Sequence, residues 1–510
     1  MKIFDTRDIK AIDEYTIMNE PVLSIDLMER AAKGCSDWIV NQFKAPADRS
    51  IKIFTGPGNN GGDGFAVARM LAQKGYSVDV FYLNISPKIS PDAQANLERL
   101  TREGNASLHL IDSVNDFPEF SKTDVIIDAL FGSGLSRSLE GLAGDLVKHI
   151  NSSGCTVISI DIPSGLFGAD NRNNNPDTII RANATLTFEF PKRSFFFAEN
   201  EKYTGNWHII PIQLHKDAIL VTKSDFYFID EHDVRSILKS RKKFSHKGSF
   251  GHALLIAGSR GMLGAAILAG RSCMRTGAGL LTSHVPSSGY LAVQTALPES
   301  IFSIDPDENV FSMFPETDKY SAIGAGPGIG RSITTVRALE ALIKNARKPL
   351  VLDADALNIL AENSEWMNFI PENTIFTPHP GEFDRLFGSN GTGFERNRRQ
   401  IELSAEYKII IVLKGAYTSV TMPDGKCYYN STGNPGMSTA GSGDVLTGMI
   451  LSLLAQGYHP ETAALAGVYL HGLAGDLALD LQSQESAIAS DIIENIGKAF
   501  KKITKNETRY

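Results

Sequence analysis

Cysteine is scarce in this chain. Its four cysteines, Cys35, Cys155, Cys273 and Cys427, are scattered over 510 residues with no close Cys/His pairs. That spacing suggests neither a disulfide framework nor a zinc site, and the four are expected to be core or near-core thiols. Long hydrophobic runs are also missing, since no window approaches the roughly 20 apolar residues that a membrane helix requires. The opening Met1-Lys-Ile-Phe-Asp-Thr-Arg-Asp8 lacks the basic-then-apolar order of a signal peptide, so the expectation is a cytoplasmic protein with no membrane partner. Positive charge is in deficit as well. A formal net charge of −8 argues against broad binding to nucleic acid or anionic membrane, and the one basic run, Arg241-Lys-Lys-Phe-Ser-His-Lys247, is local.

What the chain has instead is length and glycine-rich loops placed after strands. At 510 residues it is too long for one ordinary core, and two domains are the default expectation. Helical spacing covers residues 5–43, with Ile9, Ile12, Ile17, Leu27, Met28, Ala31, Ala32, Trp38 and Ile39 on the apolar positions and a break at Pro21. A short strand, Ile51-Lys-Ile-Phe-Thr55, then runs into Gly56-Pro-Gly-Asn-Asn-Gly-Gly-Asp-Gly64, and a helix is expected from Phe65 to about Lys74. Strand, glycine loop and helix in that order form the phosphate-binding corner of a Rossmann-like sheet, but the spacing departs from Gly-x-Gly-x-x-Gly, so ordinary NAD binding is not inferred.

Two further strands end in polar loops of the same kind. Val125-Ile-Ile-Asp128 leads into Ala129-Leu-Phe-Gly-Ser-Gly-Leu-Ser-Arg137, and Thr156-Val-Ile-Ser-Ile-Asp161 leads into Ile162-Pro-Ser-Gly165. Each strand delivers an acid where it ends, and ligands of open parallel sheets collect at the carboxyl ends of strands. Asn60, Asp63, Asp128, Asp161 and Ser164 are therefore expected to converge, with Lys192, after the strand 184–190, in the same cleft. Any one of these residues could be a turn or helix cap; three repeating units favour a shared site.

The second half alternates strand and helix too, from Lys247-Gly-Ser-Phe-Gly-His252 through Gly258-Ser-Arg-Gly-Met-Leu-Gly264 to strands at 322–325 and 349–353. The boundary is placed near Leu220, giving domains of 1–220 and 221–510. Near the end stands Asn434-Pro-Gly-Met-Ser-Thr-Ala-Gly-Ser-Gly-Asp444, followed by an amphipathic helical pattern. Bare amides at a helix N-terminus, kept unshielded by Gly441 and Gly443, can close around a phosphate, with Asp444 as a base beside it. A glycine-rich turn capped by Asp444 would account for this stretch alone; its companions point to chemistry.

Those companions are Gly326-Pro-Gly-Ile-Gly330, Asp353-Ala-Asp-Ala-Leu-Asn358, Thr377-Pro-His-Pro-Gly-Glu382 and Lys414-Gly415. With the N-terminal motifs, in this order and over nearly the whole chain, they resemble the bifunctional NAD(P)H-hydrate repair enzymes of prokaryotes. In that family an epimerase is fused to an ADP-dependent dehydratase. The resemblance implies an α/β protein of two domains, an N-terminal Rossmann-like three-layer αβα unit and a C-terminal ribokinase-like αβα unit with a largely parallel central sheet. It implies a substrate, NADH or NADPH hydrated on the reduced nicotinamide ring, whose epimers are interconverted by the first domain. The second dehydrates the S form while ADP becomes AMP and phosphate.

Residue by residue, the resemblance places the epimerase substrate on Asn59, Asn60, Gly61, Gly62 and Asp63, on Gly132, Ser133, Gly134, Leu135, Ser136, Arg137 and Ser138, and at Asp161. A potassium ion falls to Asn60, Asp128 and Ser164, which offer hard oxygen ligands. Asp161 is expected to move a proton, with Lys192 as a second participant. In the dehydratase, hydrate contacts fall to Ala265, Gly328, His379 and Asp444, with His379 in a loop fixed by two prolines. Nucleotide contacts fall to Lys414, Gly415, Ala416, Tyr417, Thr418 and Gly443. Asp444 would be the base for phosphoryl transfer to the ring hydroxyl, with the amides of Ser442, Gly443 and Asp444 holding the moving charge. Magnesium is expected from the phosphoryl chemistry without identifiable ligands, and the relatives imply a homo-oligomer.

Two departures from the family pattern stand out. The segment 166–175 is polar and one residue longer than usual after Pro163-Ser-Gly165, and Ser442 stands where many relatives have threonine. Two alternative readings use the same loops. One is a kinase for a hydroxyalkyl pyrimidine or thiazole with a nucleotide-sensing N-terminal half; the other is a non-catalytic nucleotide-binding scaffold. The fused N-terminal half and the Thr377-Pro-His-Pro motif speak against the first, and a carboxylate at both Asp161 and Asp444 against the second.

Overall fold

A computed structural model of the chain describes residues 1–44, 50–389 and 391–504. The fold is α/β in two compact units. One comprises Lys2–Ser224 with Thr392–Phe394, the other Met1, Asp225–Gly391 and Glu395–Tyr510. Residue 220 lies inside the helix Lys216–Val221, so the division falls four residues later than the one drawn from the sequence. All four cysteines are buried, as expected. Among the described residues no helix is long and apolar enough to cross a membrane.

The N-terminal unit is built on a seven-stranded sheet. Its strands are β1 (Ser50–Thr55), β2 (Ser77–Leu83), β3 (Ser107–Ile111), β4 (Val125–Ala129), β5 (Thr156–Ile160), β6 (Ala184–Phe188) and β7 (Asn206–Ile210). All neighbours run parallel, in the order β3-β2-β1-β4-β5-β6-β7. Side chains alternate across the sheet. Ile51, Ile53, Val125 and Ile127 pack against the helices Ser24–Gln42, Asn59–Gln73 and Pro91–Glu103, whereas Phe54 and Ile126 pack against Gly141–Ser152 on the other face. The order reverses between β1 and β4, and in open parallel sheets the crevice at such a reversal is where ligands bind.

The C-terminal unit repeats the plan with β8 (Phe226–Ile229), β9 (His252–Ile256), β10 (Leu280–Pro286), β11 (Ile301–Asp305), β12 (Ala322–Ala325), β13 (Leu350–Leu352), β14 (Ile375–Phe376), β15 (Ile410–Leu413), β16 (Ser419–Thr421) and β17 (Cys427–Asn430). Their order is β8-β17-β16-β15-β14-β13-β12-β9-β10-β11. Only β16 lies antiparallel to its two neighbours; β9 through β15 form a parallel block. Ala253 and Leu255 face the helices Leu263–Thr276, Ser442–Ala455, Pro460–Ala478 and Ala489–Thr504, while Leu254 and Ile256 face Ile333–Asn345 and Asp355–Glu362. The reversal falls between β9 and β12.

Three local expectations are corrected by packing. The helix expected from Phe65 begins at Asn59, so most of the glycine loop is its first turn and a half. Glycine weakens a helix interior, but a Cβ on Gly61 would sit 1.8 Å from the Gly56 carbonyl, and one on Gly64 2.7 Å from Ala129 and Thr55. Likewise the helix at Asp444 starts at Ser442, behind Gly441 at φ 89°. That helix is not amphipathic. Every residue from Val445 to Ala455 is buried, because the sheet and two neighbouring helices enclose it.

Close approach recurs inside the second unit at Gly448, where a Cβ would lie 2.0 Å from the Ala269 carbonyl and 2.1 Å from Ser272 Oγ. Overpacking of this kind costs about 1–3 kcal/mol. Gly448→Ala is therefore expected to lower the midpoint of the thermal transition of the full chain. Gly264→Ala, which meets nothing within 4 Å, serves as the neutral comparison. Equal midpoints for the two variants would contradict this packing.

Candidate active sites

The loops leaving β1, β4 and β5 meet at the first reversal around a cavity of ≈ 470 Å³. Of the expected residues, Asn59, Asn60 and Asp63 line it from the helix Asn59–Gln73, and Gly132, Ser133, Gly134 and Leu135 from the loop after β4. Asp161 and Lys192 complete the polar wall. Gly61, Gly62, Ser136, Arg137 and Ser138 are not among the lining residues. The two glycines give the helix room: a Cβ on Gly62 would meet Met28 Sδ at 2.7 Å. Ser138 instead bonds Asn174 at 2.9 Å.

Asp161 stands one residue beyond β5 in the left-handed region, at φ 66°, a conformation that costs a non-glycine residue on the order of 1–3 kcal/mol. Its amide is held on the Leu186 carbonyl at 2.7 Å. The carboxylate then meets Lys192 Nζ at 2.8 Å and accepts from the Ser133 amide at 3.0 Å. Lys192 is buried, and its ammonium also donates to Thr187 Oγ1 at 3.1 Å and to the Phe190 carbonyl at 3.3 Å. Burial alone would raise the Asp161 pKa, but Lys192 and Ser133 outweigh it and hold the group below its ordinary value. Asp63 has no cation beside it among the described residues, and burial with the Asp161 charge pushes it well above the ordinary range.

Asp128 and Ser164 lie fully buried and bond to each other, outside the cavity lining. Ser164 Oγ is 2.5 Å from Asp128 Oδ1, and Asp128 also accepts from Ser159 Oγ, the Ser164 amide and the Leu130 amide. Burial raises Asp128 despite these donors. Asn60 differs: both its amide oxygen and nitrogen are buried without a hydrogen-bond partner among the described residues. Orphaned polar atoms of this kind are rare and point to a missing ligand. The polar segment 166–175 is self-supporting. Asn171 accepts from the Phe167 amide, and Asn174 donates to the Gly165 carbonyl at 2.7 Å.

At the second reversal, the Gly258 amide donates to the Pro327 carbonyl at 2.8 Å and joins the loops after β9 and β12. Gly328, at φ 63°, faces Ala265: a Cβ on it would lie 3.1 Å from the Ala265 methyl. His379 is the N-cap of the helix Pro380–Phe387, not a free loop residue. Its Nδ1 accepts from the Gly381 amide at 3.0 Å, so the neutral ring carries its proton on Nε2, 3.5 Å from Glu382 Oε1.

The Lys414 amide donates to the Pro378 carbonyl at 2.9 Å, tying the segment that starts at Lys414 to the His379 loop. Lys414 Nζ reaches Asp353 Oδ1 at 2.9 Å, and a Cβ on Gly443 would sit 3.2 Å from that ammonium. The ion pair thus lies against the N-terminus of the helix Ser442–Ala455. Gly415, Ala416, Tyr417 and Thr418 form a turn at the surface, closed by Thr418 Oγ1 on the Gly415 carbonyl at 2.9 Å, with Tyr417 at φ 53°. Burial pushes Asp444 from 3.8 up to about 7, helped by the charge of Asp353 and only partly opposed by Lys414.

Three residues with no role assigned from the sequence belong to these sites. Asp353 accepts from Thr447 at 2.7 Å and anchors Lys414. His471, kept neutral by burial with its pKa down to about 4, lies 3.0 Å from the Ser442 carbonyl. Asp13 lines the N-terminal cavity from the helix Thr6–Asn19. Its signal was present: Ile9, Ile12, Asp13 and Thr16 share one helical face, and a carboxylate there interrupts an otherwise inward-facing stripe.

A raised carboxyl destabilises the folded state once it ionises. The unfolded Asp444 side chain loses its proton near 3.8 and the folded one near 7, so this group removes stability as pH rises between those values. Asp444→Asn is expected to raise the melting temperature more at pH 8 than at pH 5. An equal change at both pH values would contradict the shift.

A family described as NAD(P)H-hydrate dehydratase matches residues 253–498, and one described as the YjeF-related protein N-terminus matches 24–194. The bifunctional NAD(P)H-hydrate repair enzyme Nnr of Moorella thermoacetica is 35% identical over 511 residues, covering 97% of this chain and 96% of that protein. The enzyme of the same name from Thermofilum pendens is 34% identical over 519 residues, covering 99% and 97%. Among solved structures, the ADP/ATP-dependent NAD(P)H-hydrate dehydratase of Bacillus subtilis matches with 34% identity and a TM-score of 0.48, over 54% of this chain and 98% of that one. With both family matches on one chain and relatives alike from end to end, this protein belongs to the bifunctional NAD(P)H-hydrate repair enzymes.

Proposed function

We propose that the N-terminal unit interconverts the R and S hydrates of NADH or NADPH, and that the C-terminal unit dehydrates the S form with ADP converted to AMP and phosphate. The observation that carries the reading is the contrast between two acids at equivalent places. Asp161 is held ionised by Lys192, and Asp444 is poised near neutrality beside the bare helix N-terminus. Hydroxide is a poor leaving group and phosphate a good one. Phosphoryl transfer to the ring hydroxyl lets the enamine nitrogen expel it. Asp444 takes the hydroxyl proton, the amides of Ser442, Gly443 and Asp444 hold the moving charge, and Lys414 receives the nucleotide phosphates. Ala265, Gly328 and His379 bound the hydrate, and Ala416, Tyr417 and Thr418 with Gly415 bound the nucleotide.

In the epimerase the dinucleotide rests on Asn59, Asn60 and Asp63, on the loop Gly132 to Ser138, and against Asp161, which moves the proton. Potassium suits the orphaned Asn60 amide together with Asp128 and Ser164, an all-oxygen set. When bound it would supply positive charge beside Asn60. Magnesium suits the dehydratase in another way. Asp353, Asp355 and Glu382 are already engaged by Lys414, the Gly330 amide and the His379 amide, which leaves the ADP phosphates and water to hold the ion, as is usual for it.

The test mixes the protein with ADP and hydrated NADH and follows return of the reduced-nicotinamide absorbance. Asp444→Asn is expected to lower that rate by a factor on the order of 10²–10⁴, the worth of a general base. Asp161→Asn is expected to lower epimerase turnover far more than substrate binding. No recovery by the unaltered protein, with phosphorylation of a vitamin alcohol in its place, would overturn the proposal. Exchanging potassium for tetramethylammonium is expected to slow epimerisation and leave dehydration of the pure S hydrate unchanged.

A further inference from the structure

The N-terminal cavity contains a carboxyl group that neither the sequence motifs nor the reading above uses. Asp13 projects from the inward face of the helix Thr6–Asn19 into the same cavity as Asp161 and Lys192. Its neighbours on that face, Ile12 and Thr16, are buried, and Thr16 is fixed by bonds to the Ile12 carbonyl at 2.8 Å and from the His215 amide at 3.0 Å. The helix is therefore held firmly where it carries the acid. Asp13 Oδ1 is buried without a hydrogen-bond partner among the described residues. A structural aspartate at such a place is expected to cap a helix or pair with a cation. Among the described residues this one does neither, and its unpaired oxygen lies in the wall of the proposed substrate cavity.

We propose that Asp13 is the second proton-transfer group of the epimerase, acting as the acid to Asp161 as the base. This rests on the epimerase reading above. The hydrated ring is a hemiaminal, and opening it requires a proton to leave one atom while another arrives elsewhere. Asp161 takes the C6 hydroxyl proton. The O–H electron pair forms a C6 carbonyl, the C6–N1 bond breaks with its pair passing to N1, and N1 takes the proton of Asp13. Rotation about C5–C6 presents the other carbonyl face. N1 then re-forms its bond to C6, returning its proton to Asp13 while the oxygen recovers the one on Asp161. Nothing is oxidised, reduced or consumed.

The electrostatics suit that division of labour. Burial, then the Asp161 charge, push Asp13 from 3.8 up to about 7; Lys192 opposes them, and Glu14 and Glu189 add to the rise. Asp63, itself raised in part by Asp13, faces the same cavity. Paired acids whose surroundings drive their proton affinities apart are the usual arrangement for acid and base work. Lys192, by contrast, is committed to Asp161, Thr187 and the Phe190 carbonyl, which makes it a positioning residue for the base.

The experiment converts the pure R hydrate without ADP, so that the dehydratase is silent, and separates the epimers chromatographically across pH. The unaltered chain is expected to lose kcat/KM on the alkaline side as Asp13 gives up its proton. Asp13→Asn is expected to lower turnover by a factor on the order of 10²–10⁴, to abolish that alkaline limb, and to leave ADP-dependent dehydration of the S hydrate intact. A variant with the normal rate, or with a lower rate and an unchanged alkaline limb, would overturn the proposal. Should Asp13→Asn fail to fold, Asp13→Glu is expected to keep activity with the alkaline limb displaced, and an undisplaced limb counts against Asp13. Failure of the unaltered chain to epimerise at all would instead defeat the epimerase reading.

Discussion

A carboxyl group removed from water keeps its proton unless a cation or a main-chain amide is set against it, and both halves of this protein are arranged around that rule. Asp161 lines the crevice where the first sheet reverses, and Asp444 lies in the first turn of the helix Ser442–Ala455, near the Lys414–Asp353 pair. Asp161 meets Lys192 at 2.8 Å and the Ser133 amide at 3.0 Å, and stays ionised. Asp444 sees a lysine already claimed by Asp353, so burial prevails and brings it to about 7. The same side chain thus acquires two chemistries from two surroundings.

The glycines serve these acids indirectly. At Gly56 and Gly61, and again at Gly448, the missing Cβ lets backbone come within a distance no side chain would allow. The helix Asn59–Gln73 is drawn down onto β1, bringing Asn60 and Asp63 to the cavity. The helix Ser442–Ala455 is driven into the core, so its first amides stay fixed over the Lys414–Asp353 pair. Preorganised dipoles of that kind do not need to reorient during reaction. The φ of 66° at Asp161 belongs to the same economy of placement, aiming a carboxylate into the crevice from a strand end.

Much of this was legible in the residues. Apolar runs ending in Asp128 and Asp161 pointed to the parallel strands and the polar crevice. The helix starts at Asn59 and Ser442 were not legible, because glycine reads as loop by propensity, whereas the close contacts that favour it arise only once distant strands are packed. The role of Asp353, although its motif was visible, and that of His471 were hidden for a related reason. Their partners, Lys414 and the Ser442 carbonyl, lie far away in the chain, and no local period announces them. Asp13 left a trace, an acid on an inward stripe, whose meaning needed the cavity opposite.

The central claim is that burial at the start of the helix Ser442–Ala455 sets the proton affinity of Asp444, the proposed dehydratase base. The pH dependence of kcat/KM for ADP-dependent dehydration of the S hydrate tests it most directly, since that profile reports the ionisation of the free enzyme. The account predicts a rate that climbs with pH through a midpoint near 7, where Asp444 ionises. A profile already level from pH 5 upward would mean that Asp444 is an ordinary carboxylate, and the account would fail.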